Sequence, residues 1–354
     1  VPGAGSFGRR MGSDFPTLAI VLLKHGYSTG AIINAPALAP EFGVDRGFEY
    51  YLTTPRWEKR DAEGTTEDAL RWIDQHGSEP FFLFVHYFDP HVPYEPPAPY
   101  DTLFDPGYQG RIESSFNRDR YCRLETWLAN TEDPEVSAAW NHIRSLYDGE
   151  IAFTDKAIAD LLDGLEKRGL RDKTLIVFIS DHGEEFYDHG GFEHGHTLYE
   201  ELIKVPLIMS LPGRLPAAKR IKRQVRSIDV LPTVLDIMGI EPPAHHEGVS
   251  LVSLITEGKV DVDSRGLLPA NFAYAEAMLY GSEKKAVVSY PWKLIYDTAT
   301  KTMKLYRLDR DPDEVRNLVE QEAETANLLE EVLFKTMFAM AGVWHVEVLS
   351  LIHI

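Results

Sequence analysis

The sequence predicts an α/β protein with a large, mostly parallel sheet between layers of helices, followed by a small antiparallel sheet that carries a helix. Three observations predict it. Phe81–Phe88 and Thr174–Ser180 are continuous apolar runs of strand length, the pattern of parallel strands buried on both faces. Segments of helical periodicity fill the intervals between such runs, and alternating strands and helices build parallel sheets with helices on both faces. After Pro242-Pro243 the texture changes to short, closely spaced strands joined by turns, the signature of an antiparallel sheet.

In order along the chain, Phe15–His25 reads as a helix ended by Gly26, and Ser28–Asn34 as a short apolar strand. Thr65–His76 is an amphipathic helix, punctuated by Gly77 and Pro80 before the Phe81 strand. The proline-rich stretch from Pro90 to Pro106 must be loop. Ser137–Arg168 carries Ile143, Leu146, Ile151, Ile158, Leu161, Leu162 and Leu165 at helical spacing, so a long helix or helix pair ends at Gly169. Val205–Ser210 is a third strand and Ser227–Met238 a helix stopped by Gly239. Ala273–Met278, Lys285–Ser289, Trp292–Tyr296 and Met303–Leu308 form the antiparallel sheet, and a helix from Glu320 to Ala339 covers one face. The organisation is therefore residues 1–245, 246–340 and a tail of 341–354. Gly342–Leu349 alternates like the start of a further strand, and Val1 is not a methionine, so both ends are expected to be cut.

Of the 354 residues, 44% are apolar and 26% charged, which excludes a disordered or collagen-like chain. Thirty-six basic against 55 acidic residues leave a net charge of −19, which argues against a general binder of nucleic acid or of anionic membranes and leaves a locally positive pocket open. No apolar run approaches the ~18 to 20 residues of a membrane span. The single cysteine, Cys122, excludes an internal disulfide framework and a cysteine-based zinc cluster. No signal-peptide pattern opens the chain, and its compartment stays open between periplasmic, secreted and cytoplasmic.

Candidate chemistry gathers where two buried strands end, the place where open α/β sheets bind ligands. The first cluster is His86-Tyr87-Phe88-Asp89-Pro90-His91-Val92-Pro93-Tyr94, and the second is Asp181-His182-Gly183-Glu184-Glu185, followed by His189, His194 and His196. Adjacent carboxylate and imidazole suit a divalent cation, with Gly183 letting the backbone turn away from it. His86 reads equally as a core histidine or a site residue, whereas His91, stiffened between two prolines, reads as functional. Glu184 and Glu185 read as solvated or helix-start charges. Gly3-Ala4-Gly5-Ser6-Phe7-Gly8 fits the dinucleotide pattern without a preceding strand and is a loop, and Ser210-Leu211-Pro212-Gly213-Arg214 reads as strand, turn and loop.

Four ordered motifs now carry a resemblance: FFLFVHYFDPHVPY (81–94), ISDHGEEFYDHGGFEHGHTLYE (179–200) with Val205–Ile208, SIDVLPTVL (227–235), and LYRLDRDPDEVRNL (305–318). Together they resemble sulfatases of the alkaline phosphatase superfamily, over roughly Phe15–Val319. The resemblance implies an alkaline phosphatase-like α/β/α sandwich and cleavage of sulfate monoesters. It implies a divalent cation, calcium first and magnesium or manganese as alternatives, held in part by Asp181 and His182. It places His91 at the sulfate and ester oxygens and His194 as a sulfate clamp, with His196 the second candidate for that place. The substrate would be a small-molecule or glycan sulfate ester.

One departure is serious. The family's C-x-P-x-R or S-x-P-x-R, whose first residue becomes formylglycine, is missing, because Cys122-Arg123-Leu124-Glu125-Thr126 does not fit and Ser210 lies on the wrong side of every other motif. The chain is therefore expected to be an N-terminally truncated member, with formylglycine in the missing segment. Two other readings stay beside sulfate-ester hydrolysis. One is a phosphonate monoester or phosphodiester hydrolase or phosphoglycerol transferase on the same scaffold, and the other is an inactive metal-binding fragment. Oligomeric state is not written in the sequence.

Overall fold

A computed structural model of the chain describes residues 11, 16–54, 60–244, 246–259, 271–276 and 279–340. The expectations for Gly3–Gly8, Phe15, Met278 and the tail 341–354 lie outside these. In chain order the elements are α1 (Leu18–Lys24), β1 (Ser28–Ile33), β2 (Tyr50–Thr53), α2 (Ala62–His76), β3 (Phe81–Val85), α3 (Arg118–Leu128) and α4 (Pro134–Lys167). Then come β4 (Ile176–Ile179), β5 (Glu185–Phe186), β6 (Phe192–Glu193), α5 (Glu200–Ile203), β7 (Leu207–Ser210), α6 (Val230–Met238) and α7 (Val252–Glu257). The last five are β8 (Ala273–Glu276), β9 (Lys284–Ser289), β10 (Trp292–Asp297), β11 (Thr302–Arg307) and α8 (Ala323–Met340). They gather into two compact units. The first holds Val1–Ile176, Glu185–Glu193 and Leu211–Gly213, and the second Val177–Glu184, His194–Ser210 and Arg214–Ile354.

In the first unit β1 lies between β2 and β3, parallel to both, with Gly30 opposite Tyr50 and Ser28 opposite Phe81. The helix α2 starts where the Asp61 carboxylate accepts from the N–H of Gly64 (2.8 Å), a side-chain cap for an otherwise orphan donor. Its buried face, Ala62, Thr65, Thr66, Ala69, Trp72 and Ile73, repeats at three and four residues. It meets β1 so closely that a Cβ on Gly30 would stand 2.5 Å from the Trp72 ring, so this position is closed to any side chain. The single helix α4 resolves the choice between one helix and two. Pro134 at its first turn and the Asp133 cap start it, and Gly169, at φ +65°, follows its end. At ~1.5 Å per residue it runs for roughly 50 Å. Its buried side chains Val136, Ala139, Trp140, Ile143 and Leu146 pack with Tyr94, Phe116, Phe186 and Phe192 in an aromatic core.

The full burial expected of the strands is not found. Phe84 of β3, one of the two edge strands of its sheet among the described residues, is 40% exposed, and Phe178 and Ile179 of β4 are similarly open. Coverage on both faces needs flanking layers, and an edge strand lacks a neighbour on one side.

In the second unit β4 pairs with β7, and β8–β11 form an antiparallel meander in the order β11-β10-β9-β8. Period-two alternation gives this sheet two apolar faces. Val287, Leu294 and Leu305 pack against Ala326, Leu329 and Leu333 of α8, while Ala286, Val288, Ile295 and Tyr306 pack against Leu198 and Tyr199, just ahead of α5. An ion cluster adds to the second face. The ammonium of Lys293 lies 3.0 Å from Glu314 and 3.1 Å from Glu200, with the Lys293 and Glu314 side chains fully buried. Burial pushes the Glu314 carboxyl up, against the pull of Lys293. No helix among the described residues is long and apolar enough to cross a membrane.

Candidate active site

The carboxyl end of β4 runs directly into Asp181, His182 and Gly183. The Ser180 hydroxyl donates to the carbonyl of His182 (2.7 Å), and the Asp181 carboxylate accepts from the N–H of His182 (3.0 Å). A carbonyl only accepts, so the His182 Nδ1 contact with Gly183 O (2.8 Å) places the ring proton on Nδ1. Nε2 is then the basic nitrogen, and it stands 3.7 Å from Asp181 Oδ2. The Asp181 side chain is 77% exposed.

Gly183 has a different reason from the one its sequence context implies. It lies outside the left-handed region, and its N–H donates to Leu202 O (2.8 Å). A Cβ there would stand 1.9 Å from Glu201 O. Close approach of the turn to the backbone of α5, rather than a sharp bend, demands the glycine.

Glu184 and Glu185 are not solvated. Glu184 is buried and its carboxylate accepts from His194 Nδ1 at 3.0 Å, while the His194 ring stacks on His182 with centroids 3.9 Å apart. Glu185 is completely buried and accepts from the N–H groups of His189 (2.9 Å) and Gly191 (2.7 Å), tying the β5–β6 hairpin together in the first unit. Charge on these residues suggested solvent, yet each meets donors that hold it inside. Sequence reasoning missed both, and the one available signal was the clustering of four imidazoles within fifteen residues. The segment also holds two non-glycine residues at positive φ, Tyr187 (68°) and Glu193 (69°), with Gly190 and Gly195 beside them. Such backbone persists only where its surroundings fix it, and for Glu193 they do: Arg118 of α3 donates to its carboxylate at 2.7 Å.

Asp181, His182 and His194 are thus brought together in the second unit, with Glu184 added. His196 follows two residues on, and its carbonyl accepts from the Lys284 ammonium of β9 (3.3 Å). Gly195 between them accepts through its carbonyl from the N–H groups of Leu279 (2.7 Å) and Tyr280 (2.9 Å), whose side chains are about half exposed. His91 lies in the first unit, after β3. Its ring stacks on Phe88 (4.4 Å), and Nδ1 contacts Val92 O at 2.6 Å. The loop is tied at both sides, by Thr154 of α4 donating to Asp89 O (3.1 Å) and by reciprocal backbone bonds between Tyr94 and Phe116. His86 heads the same loop. Its N–H donates to Ile32 O, and its carbonyl accepts from the buried Asn34 amide, which also donates to Thr65 and accepts from Arg60. Asn34 therefore clamps the carboxyl ends of β1 and β3, a role with no signal in the sequence.

Asp181 and His182 fit two of the ligands of a divalent cation, one hard oxygen and one imidazole. A calcium ion takes about six to eight oxygens, and no group of three metal-ligating side chains converges among the described residues. Cys122 is exposed within α3, which does not suit a nucleophile at a strand end.

Superposition on solved structures gives the chain the alkaline phosphatase-like fold. A protein in complex with its substrate D-glucosamine-2-N,6-O-disulfate superimposes with a TM-score of 0.73 at 20% identity, over 94% of this chain and 84% of that one. The phosphonate monoester hydrolase of Agrobacterium radiobacter gives 0.72 at 21%, over 94% and 82%. The chain belongs to the sulfatase family, whose sequence profile, Sulfatase, matches residues 10–240. A second profile, N-sulphoglucosamine sulphohydrolase, C-terminal, matches 187–339. An arylsulfatase of Clostridium perfringens is 27% identical over 304 residues, 82% of this chain and 59% of that protein. The chain thus spans about three fifths of that relative's length.

Proposed function

We propose that this protein hydrolyses sulfuric esters, with Asp181 and His182 as two ligands of a divalent cation, calcium first and magnesium or manganese next. The observation that carries the reading is the cluster of Asp181, His182, Glu184 and His194 after β4, within the region matched by the Sulfatase profile. When bound, the cation would withdraw charge from the non-bridging oxygens of the ester. The chain's own residues do the rest. His194, as the imidazolium, donates from Nδ1 to Glu184 and from Nε2 to the sulfate, and His196 is the second candidate for that contact. His91, whose Nδ1–H donates to Val92 O, acts from its imidazolium form and gives the Nε2 proton to the departing alcohol, leaving neutral imidazole. Ser210, which matches S-x-P-x-R by pattern, ends β7 and leads into a turn at Gly213, so it does not fit a formylglycine nucleophile. The disulfated glucosamine bound by the structural relative supports a sulfated sugar as the substrate class. The same reading makes 1–245 the catalytic part, 246–340 the C-terminal part and 341–354 a tail.

The test compares an aryl sulfate with an aryl phosphonate monoester in the full-length gene product. Sulfate is expected to have the higher kcat/KM, and His91→Ala or His194→Ala to lower it ~100-fold or more. A preference for the phosphonate would move the protein to the phosphonate monoester hydrolase branch, which shares its fold. Calcium at 100 times its Kd should add about 2.7 kcal/mol of apparent stability, and Asp181→Ala should remove that gain. Stabilisation by calcium without hydrolysis of either ester would leave a metal-binding, inactive chain.

A further inference from the structure

The chain has one region where its acidity reverses. Between Glu201 and Asp229 stand seven basic residues and no acidic one, in 27 positions where the chain's average of 55 acidic residues in 354 would put about four. The centre of this region is held out to solvent from two anchors. The Lys219 ammonium donates to Ile255 O (2.6 Å) at the end of α7. Gln224 donates to Val288 O of β9 and accepts from the N–H of Tyr290 (both 3.0 Å). Between the anchors Arg220, Lys222 and Arg223 are exposed, and none has a carboxylate partner among the described residues. Arg226, by contrast, is buried against Asp229 and belongs to the fold.

We propose that Arg220, Lys222 and Arg223 form a binding surface for a sulfated polysaccharide chain, separate from the candidate active site. The class of ligand rests on the sulfatase reading, because a polymer carrying many ester sulfates is both an anion and a substrate for such an enzyme. Three positive charges within four residues span at most about 10 Å. That is close to the Debye length of about 8 Å in physiological salt, so they act together while most of the distant acidic surface is screened. Fixed ends lower the ordering cost of binding. Residues 214–226 contain no Phe, Tyr or Trp to stack on a nucleobase or to seat in a lipid interface, which favours a polysaccharide over nucleic acid or an anionic bilayer.

The test measures binding of the whole chain to heparin between 50 and 200 mM NaCl, comparing the natural sequence with Arg220→Gln/Lys222→Gln/Arg223→Gln. Counterion release predicts that the slope of log affinity against log salt falls by about 2 to 3 in the variant, with ~10-fold or greater weakening at 100 mM. The melting temperature and, in the full-length gene product, turnover of a small aryl sulfate should not change. The proposal is overturned if the natural chain does not bind heparin at 50 mM NaCl, if the variant binds equally, or if single-stranded DNA or phosphatidylserine vesicles bind as tightly. Loss of binding in the variant, with no sulfate turnover by either full-length protein, would uphold the anion-binding surface and sink the sulfatase reading instead.

Discussion

Glu314→Gln tests whether the C-terminal sheet holds the segment behind the candidate site. Glu314 sits 3.0 Å from Lys293 with both side chains fully buried, and its carboxylate also accepts from the N–H of Glu200 at 2.6 Å. Two unit charges at 3.0 Å attract by about 5.5 kcal/mol at an effective dielectric of 20, and desolvation offsets part of it. Removing one partner strands the other, so the expected loss is about 3 to 5 kcal/mol, moderated by Glu200 at 3.1 Å. In urea, with an m value near ~3 kcal/mol/M, the midpoint should fall by roughly 1 M or more. Lys293→Met/Glu314→Leu removes both charges from a site already closed to water and should recover most of the loss, to within about 1 to 2 kcal/mol of the natural protein. A Glu314→Gln midpoint that moves by under about 0.3 M, or a double variant as unstable as the sum of its parts, would refute the reasoning.

Gly183→Ala sets a Cβ 1.9 Å from Glu201 O, so the turn must move; about 1 to 3 kcal/mol of stability and ~100-fold in turnover are the expected losses, read by melting and by aryl sulfate kinetics. Glu184→Gln removes the carboxylate from His194 and should lower kcat/KM by ~10-fold to 100-fold with the melting temperature little changed. Tyr87, pushed up to about 12 by burial, keeps its proton in the fold at pH values where the unfolded chain, near 10, loses it. The native state binds the extra proton, so stability falls as pH rises from about 10 to 12, and Tyr87→Phe should flatten that part of the urea-midpoint profile while losing the Thr66 contact.

The long elements were legible because their signals are redundant: α4 shows helical spacing over 34 residues with a proline start and a glycine stop, and the meander alternates strictly on two faces. The strands β2, β5 and β6 and the helices α3 and α7 were not. The strands are two to four residues long, and α3 is mostly polar, with only Tyr121 and Leu128 buried, so neither shows a period. At the site, Asp181, His182 and His194 could be read from their clustering. Glu184, Glu185 and Asn34 could not, since a charged or amide side chain reveals its burial only through partners that the fold supplies from elsewhere.

The two-faced meander has a consequence for how this protein can vary. Because β9, β10 and β11 wedge between α8 and the stretch carrying Leu198 and Tyr199, the C-terminal sheet is the back wall of the His194 turn and not a detachable appendage. Grafts or trimming within those strands would be transmitted to the imidazoles. Lengthening at the exposed Ala299–Lys301 tip of the hairpin bend, beyond Asp297 and its ion pair with Lys284, would not. Descendants of this chain can therefore diversify at that tip while the strands behind it stay in register.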